Sequence, residues 1–168
     1  MSTLSTLRTF AIEAEVAAEL RVRDDAGRPP RMVTDTEGGS PLRCCLRRGL
    51  PGERLALLSY APLRRWGART GGDPGPYEEL GPVFVHADPC EGPDGTGFPV
   101  DMCGERRVFR AYDADGNILG GRLVDEYVSR DATAAEAILA EQFADPDVAL
   151  VHVRAVEFGC FLFEVRRA

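Results

Sequence analysis

Short runs in which apolar and polar positions alternate dominate the chain, and they predict strands at residues 7–12, 54–60 and 82–87. Residues 14–23 carry Val16, Ala17 and Leu20 at helical spacing and predict a short helix, which the Asp24 to Pro30 stretch breaks. Residues 31–35 and 43–47 read as short strands on either side of a Gly38-Gly39-Ser40-Pro41 turn. Residues 107–112 and 118–124 flank Asp115-Gly116, a pair suited to a type I′ hairpin turn. Thr133-Ala134-Ala135-Glu136 matches a capping box, followed by Ala135, Ile138, Leu139 and Phe143 along one helical stripe. Residues 148–156 and 160–167 then form a closing hairpin. Two irregular stretches, 61–81 and 88–105, are long enough to rim a site.

Hairpins in place of regular strand–helix alternation predict one α+β domain over residues 1–168. Its main feature is a mainly antiparallel sheet of about six or more strands, with two helices and two long loops.

Charge narrows the function. The 168 residues carry 27 acidic and 20 basic side chains, a formal net charge of −7, which disfavours nucleic acid and anionic lipid as partners. Every basic residue is arginine, so chemistry that needs a lysine amine is excluded. Residues 1–10 lack a secretory pattern and no apolar run reaches about 18 residues, which predicts a cytoplasmic chain with no membrane partner. Without a secretory signal, the five cysteines read as reduced thiols.

The closing hairpin concentrates candidate chemistry. A three-residue turn, Glu157-Phe158-Gly159, puts glycine at the left-handed position and pairs Val156 with Cys160, Arg154 with Leu162 and His152 with Glu164. His152, Arg154 and Glu164 then share one face, side chains two apart on a strand being separated by about 6.6 Å. A carboxylate beside an imidazole suits it to acid or base work, which makes His152 and Glu164 catalytic candidates, with His86 at the end of its own strand. The plainer alternative is a sheet-face ion pair. Arg43, Arg110 and Arg154, should they converge, form a grip for a carboxylate or phosphate, and Tyr112 shares a strand face with Arg110. Cys160 and Cys90 are the candidate nucleophiles, set against simple packing.

A zinc reading would draw on Cys44-Cys45, His86-x3-Cys90 and His152-x7-Cys160. No C-x2-4-C knuckle is present, and neighbouring cysteines on a strand point to opposite faces, so the spacing predicts no metal site. No glycine run matches a nucleotide fingerprint, so no cofactor is expected.

The strings PLRCCLRR, PGERLALLSYAPL, PYEELGPVFVHADPC, FRAYDADG and VHVRAVEFGCFLFEVRR, in that order, resemble the bacterial domain of unknown function 1203 over residues 41–167. The GPVFVHADPC segment and the HVR to GCF hairpin are the most specific parts. Many members carry a Cys-Arg pair where this chain has Leu42-Arg43, which weighs against a cysteine role at that edge. The resemblance directs interest to Arg43, Tyr77, His86, Cys90, His152, Arg154 and Cys160 and implies no activity.

Together these features predict a cofactor-independent enzyme acting on a small anionic molecule, an isomerase, lyase, cyclase or hydrolase. Tyr77 joins the substrate-binding candidates. The alternatives are a non-catalytic ligand-sensing or protein-interaction module and a Cys/His metal-binding protein.

Overall fold

A computed structural model describes residues 6–168; residues 1–5, part of the segment read as lacking a secretory pattern, lie outside the described residues. Among the described residues, two five-stranded sheets replace the single sheet expected from the sequence, and four α-helices replace two. The first sheet contains β1 (Leu7–Phe10), β7 (Arg107–Tyr112), β8 (Ile118–Val124), β9 (Leu150–Ala155) and β10 (Phe161–Arg167). Its order is β1-β10-β9-β7-β8, antiparallel throughout. The second contains β2 (Arg31–Asp35), β3 (Pro41–Leu42), β4 (Arg47–Arg48), β5 (Glu53–Tyr60) and β6 (Gly81–His86), in the order β2-β5-β6-β3-β4. Its one parallel pairing sets Leu42 of β3 beside Phe84 of β6. Alternation along a strand shows which face is buried but not which strand lies next to it. The number of sheets therefore does not follow from the alternation.

The helices are α1 (Ala14–Val22), α2 (Pro62–Thr70), α3 (Glu126–Ser129) and α4 (Ala132–Phe143). Of these, α2 falls inside a stretch read as irregular. Leu63 and Trp66 are its only large apolar residues, so it carries no stripe, and its signals are terminal: Pro62 in the first turn and Gly71 at φ 84° beyond the last. With only four residues, α3 is too short to show a period. For α4 the cap differs from the capping box. Asp131 accepts from the Ala134 amide at 3.2 Å, and Glu136 accepts from the Phe98 amide at 3.3 Å.

Residues 43–47 do not form the expected strand. The Leu46 amide donates to the Leu42 carbonyl at 2.9 Å, one helical turn that is not continued, and Leu46 closes it at φ 56°. In the closing hairpin Gly159 adopts the left-handed conformation, φ 71°, and His152 pairs with Glu164. The connection is longer than three residues, however, and a bulge between Phe161 and Phe163 sets Arg154 opposite Phe161 instead of Leu162.

One core lies between the first sheet and α4, where Phe109, Val153 and Phe163 meet Ala135, Leu139 and Phe143. A second joins α1 through Ala17 and Leu20 to Leu42, Leu55 and Val85 of the second sheet and reaches Phe161 of the first, and a small third one gathers Leu63, Tyr112 and Leu150. Leu20, Leu42 and Leu55 are fully buried. At about 2 kcal/mol per buried leucine, this packing outweighs the small gain from the two-residue ladder of β3 and β4.

Asp24 closes the turn after α1 by accepting from the amides of Ala26, Arg28 and Ser59 at 3.0, 3.0 and 2.9 Å. Burial tends to raise its pKa, but these backbone donors prevail and hold it below the usual 3.8. A depressed carboxylate pKa contributes stability above the unfolded-state value, and that stability is lost as pH falls through the folded-state value. Asp24→Asn is expected to lower the unfolding free energy by about 2 kcal/mol in urea at neutral pH. The gap from the parent chain should narrow below about pH 4.

Candidate functional site

The turn at residues 42–46 changes what Cys44 and Cys45 can do. Successive side chains in a helical turn are about 100° apart, not on opposite faces as along a strand, so both thiols can look the same way. They face His86, the last residue of β6, and Cys90 in the loop that follows. The ligand atoms of Cys44, Cys45, His86 and Cys90 all lie within 4.8 Å of one another. Nδ1 of His86 is 3.5 Å from Sγ of Cys44 and 3.7 Å from Sγ of Cys45. This is a correction to the expectation that at most one of the paired cysteines could join such a set.

The surroundings act unequally on the three thiols and orient the imidazole. Sγ of Cys44 accepts the His86 backbone N–H at 3.3 Å, and the neighbouring amides of Arg47 and Gly92 act to lower the Cys45 and Cys90 pKa values. The contact with Cys45, together with burial, pushes the Cys44 thiol up, and the same contact pulls Cys45 down. Burial raises Cys90. On the far side of the ring, Nε2 of His86 is 3.1 Å from Oε2 of Glu53 and 3.1 Å from Nη2 of Arg47. Arginine only donates, so those two contacts demand opposite tautomers. The Arg47 guanidinium, 2.9 Å from Oε1, holds the Glu53 carboxyl below the usual carboxylate range. With Nε2–H donating to that carboxylate, the Nδ1 lone pair faces the sulfurs.

Cys45, His86 and Glu53 line one end of a cleft of about 970 Å³ whose other wall is the loop from Asp88 to Asp101. Glu53, Asp88, Glu91, Asp94 and Asp101 outnumber Arg47 and Arg54 there, a field that favours cations.

The other candidate residues lie elsewhere. His152 has no exposed surface. Its Nε2 is 3.0 Å from Oε1 of Glu164, and its ring lies between Tyr112 and Phe161 at centroid distances of 4.8 and 4.9 Å. Burial alone would raise the Glu164 pKa, yet the hydrogen bond from His152 and the nearby Arg166 and Arg69 hold it below the usual carboxylate range. Arg110 and Arg154 do converge, but on Glu79 of the same chain, at 3.0 and 2.8 Å. Arg43 stands apart from them. It is 3% exposed, and its Nε and Nη1 donate to the carbonyls of Phe161 and Pro41 at 2.8 and 2.7 Å. Tyr77 is exposed on a short 3-10 turn, and Sγ of Cys160 lies 3.6 Å from the Phe158 carbonyl. Glu53 and Arg47 are not singled out by the sequence. The pairing of β5 with β6 that sets Leu55 opposite His86, and so brings Glu53 near, has no local signature.

The two sheets and the Cys/Cys/His/Cys cluster define an α+β protein with a preassembled soft-ligand set. A family model described as "Protein of unknown function (DUF1203)" matches residues 39–167, which include the whole cluster, and the chain belongs to that family. Neither a search of curated proteins nor a search of solved structures found a match. Among the described residues, no helix is long and apolar enough to cross a membrane.

Arg43 positions the cluster through its neighbours. Its amide donates to the Phe84 carbonyl at 2.9 Å, and its own carbonyl accepts from the Ile12 amide at 2.9 Å. Arg43→Met keeps the aliphatic stem and removes the guanidinium. It is expected to cost about 3 kcal/mol in denaturant unfolding, because two buried carbonyls lose a charged donor. Arg110→Met, which removes an exposed ion pair, should cost under about 1 kcal/mol in the same assay.

Proposed function

We propose that this protein binds a thiophilic divalent cation, zinc in the first instance, through Sγ of Cys44, Cys45 and Cys90 and Nδ1 of His86. The observation that carries the reading is the convergence of three sulfurs and one imidazole nitrogen within 4.8 Å. Thiolate and imidazole together select zinc or a similarly soft ion over magnesium or calcium. Tetrahedral zinc with sulfurs at about 2.3 Å holds them about 3.8 Å apart, so the set closes on the ion with a contraction of about 1 Å at most. Glu53 supports this as the acceptor of Nε2–H, the carboxylate–histidine arrangement that orients metal-binding imidazoles.

Charge fits as well. Three thiolates around a divalent ion leave one negative charge. Arg47 stands beside it, and Arg21 donates to the His86 carbonyl at 2.8 Å. Four protein ligands leave no open position, so the centre holds its ion and ties the turn at residues 42–46, the end of β6 and the cleft loop together. A metal-binding module therefore accounts for more of the geometry than acid–base catalysis at His152, which no solvent reaches. The acidic cleft provides the entry path.

Elemental analysis of protein expressed with added zinc is expected to find close to one zinc per chain. Cys90→Ser and His86→Ala should abolish it while Cys160→Ser retains it. Glu53→Gln should weaken zinc binding by about 10- to 100-fold in a chelator competition. A zinc content near zero in the parent protein, or equal loading of the Cys90→Ser variant, would overturn the proposal.

A further inference from the structure

A second cavity, about 320 Å³, opens between α2, the segment leading into α1, and the end of β10, and it shares no lining residue with the cleft beside His86. Four aromatic rings, Phe10, Tyr60, Trp66 and Phe161, form its walls. Five charged residues line it: Glu13, Arg65, Arg69, Glu164 and Arg166. Their engagement is uneven. Arg65 is committed to Asp25 at 2.8 Å and to Glu19 at 3.2 Å. Glu164 already accepts from His152. Glu13 is largely exposed at the rim, 3.8 Å from Arg69.

Arg69 and Arg166 are different. Arg69 donates no hydrogen bond among the described residues; its only acidic neighbours are Glu13 and Glu164, at 3.8 and 3.9 Å. Nε of Arg166 is 2.8 Å from Oε2 of Glu164 but out of line for a hydrogen bond, and its terminal N–H groups donate none among the described residues. Both guanidinium groups are held by aromatic faces instead. Arg166 lies 3.6 Å over Phe10 and 5.8 Å from Trp66, and Arg69 lies 5.3 Å from Trp66. Two planar cations are thus fixed in place with donors to spare, next to apolar walls.

We infer that this cavity is a binding site for a small aromatic carboxylate, its carboxylate on Arg69 and Arg166 and its ring against Trp66 and Tyr60. Guanidinium groups suit a carboxylate because two parallel N–H donors match its two oxygens. The volume falls at the lower end of small-molecule sites and admits one substituted ring. The internal acid is engaged on both oxygens, Oε1 accepting from His152 and Oε2 facing Nε of Arg166, which leaves the terminal N–H groups of Arg166 and all those of Arg69 for the ligand. This site is independent of the metal centre, and either can fail without the other.

Trp66 is the only tryptophan in the chain, so its fluorescence reports the cavity directly. Titration with benzoate is expected to change Trp66 emission saturably, whereas benzamide, the neutral isostere, should not. Arg69→Gln should weaken benzoate by about tenfold or more, as loss of a charge-assisted hydrogen bond requires, and Arg69→Lys by less. Calorimetry on the same variants, with unchanged urea midpoints, separates loss of binding from loss of fold. No saturable response to benzoate, an equal response to benzamide, or undiminished affinity in Arg69→Gln would overturn the inference.

Discussion

A buried arginine without a carboxylate holds the two sheets in register. Taking a guanidinium out of water costs several kcal/mol, and burial pulls the Arg43 pKa down to about 10, low for an arginine but still charged at neutral pH. The cost is offset by carbonyls from two elements, Pro41 before the turn and Phe161 at the start of β10. Carbonyl dipoles, unlike a carboxylate, are fixed to the backbone, so they specify where the side chain must sit. The main chain at Arg43 is fixed as well, to Phe84 of β6 and to Ile12 ahead of α1. The residue that follows is Cys44. The positions of both thiols against His86 therefore derive from a cation that itself meets no ligand.

Charge is distributed in two distinct ways around this anchor. The His86 side is acidic and open, with carboxylates along the loop from Asp88 to Asp101 and arginines in the minority. The β10 side holds a smaller cavity and is better balanced. There a buried histidine–carboxylate pair is backed by arginines that lie on aromatic rings. Removing one member of such a pair strands a charge in the interior, which costs far more than an exposed pair contributes. His152 and Glu164 are thus each the other's partner in the interior.

Period-two reasoning found the His152–Glu164 contact although the turn it assumed is not the one formed: the longer connection shifts the register by one residue, and the bulge between Phe161 and Phe163 restores it. The same reasoning failed at Cys44 and Cys45. Their turn is closed by Leu46 in a left-handed conformation, and leucine gives no hint of it, since non-glycine residues seldom adopt positive φ. His86 and Cys90 were visible as a spaced pair; what was hidden was the parallel contact of β3 with β6 that delivers the other two ligands. The α2 helix was marked by Pro62 and Gly71 but lacked an apolar stripe between them. Local pattern thus located most strands. Non-local pairing decided how many sheets they make and where a cluster forms.

That parallel contact also constrains the order of events during folding. Leu42 and Phe84 meet only after the intervening chain has run out through β4 and β5 and returned, with β6 seated between β5 and β3. Closing so long a span is entropically costly and is repaid only when the second sheet is complete. An ion captured by all four side chains would therefore report a finished sheet and not a nascent one. Because it binds the native chain preferentially, it would make resistance to unfolding rise with the concentration of free ion.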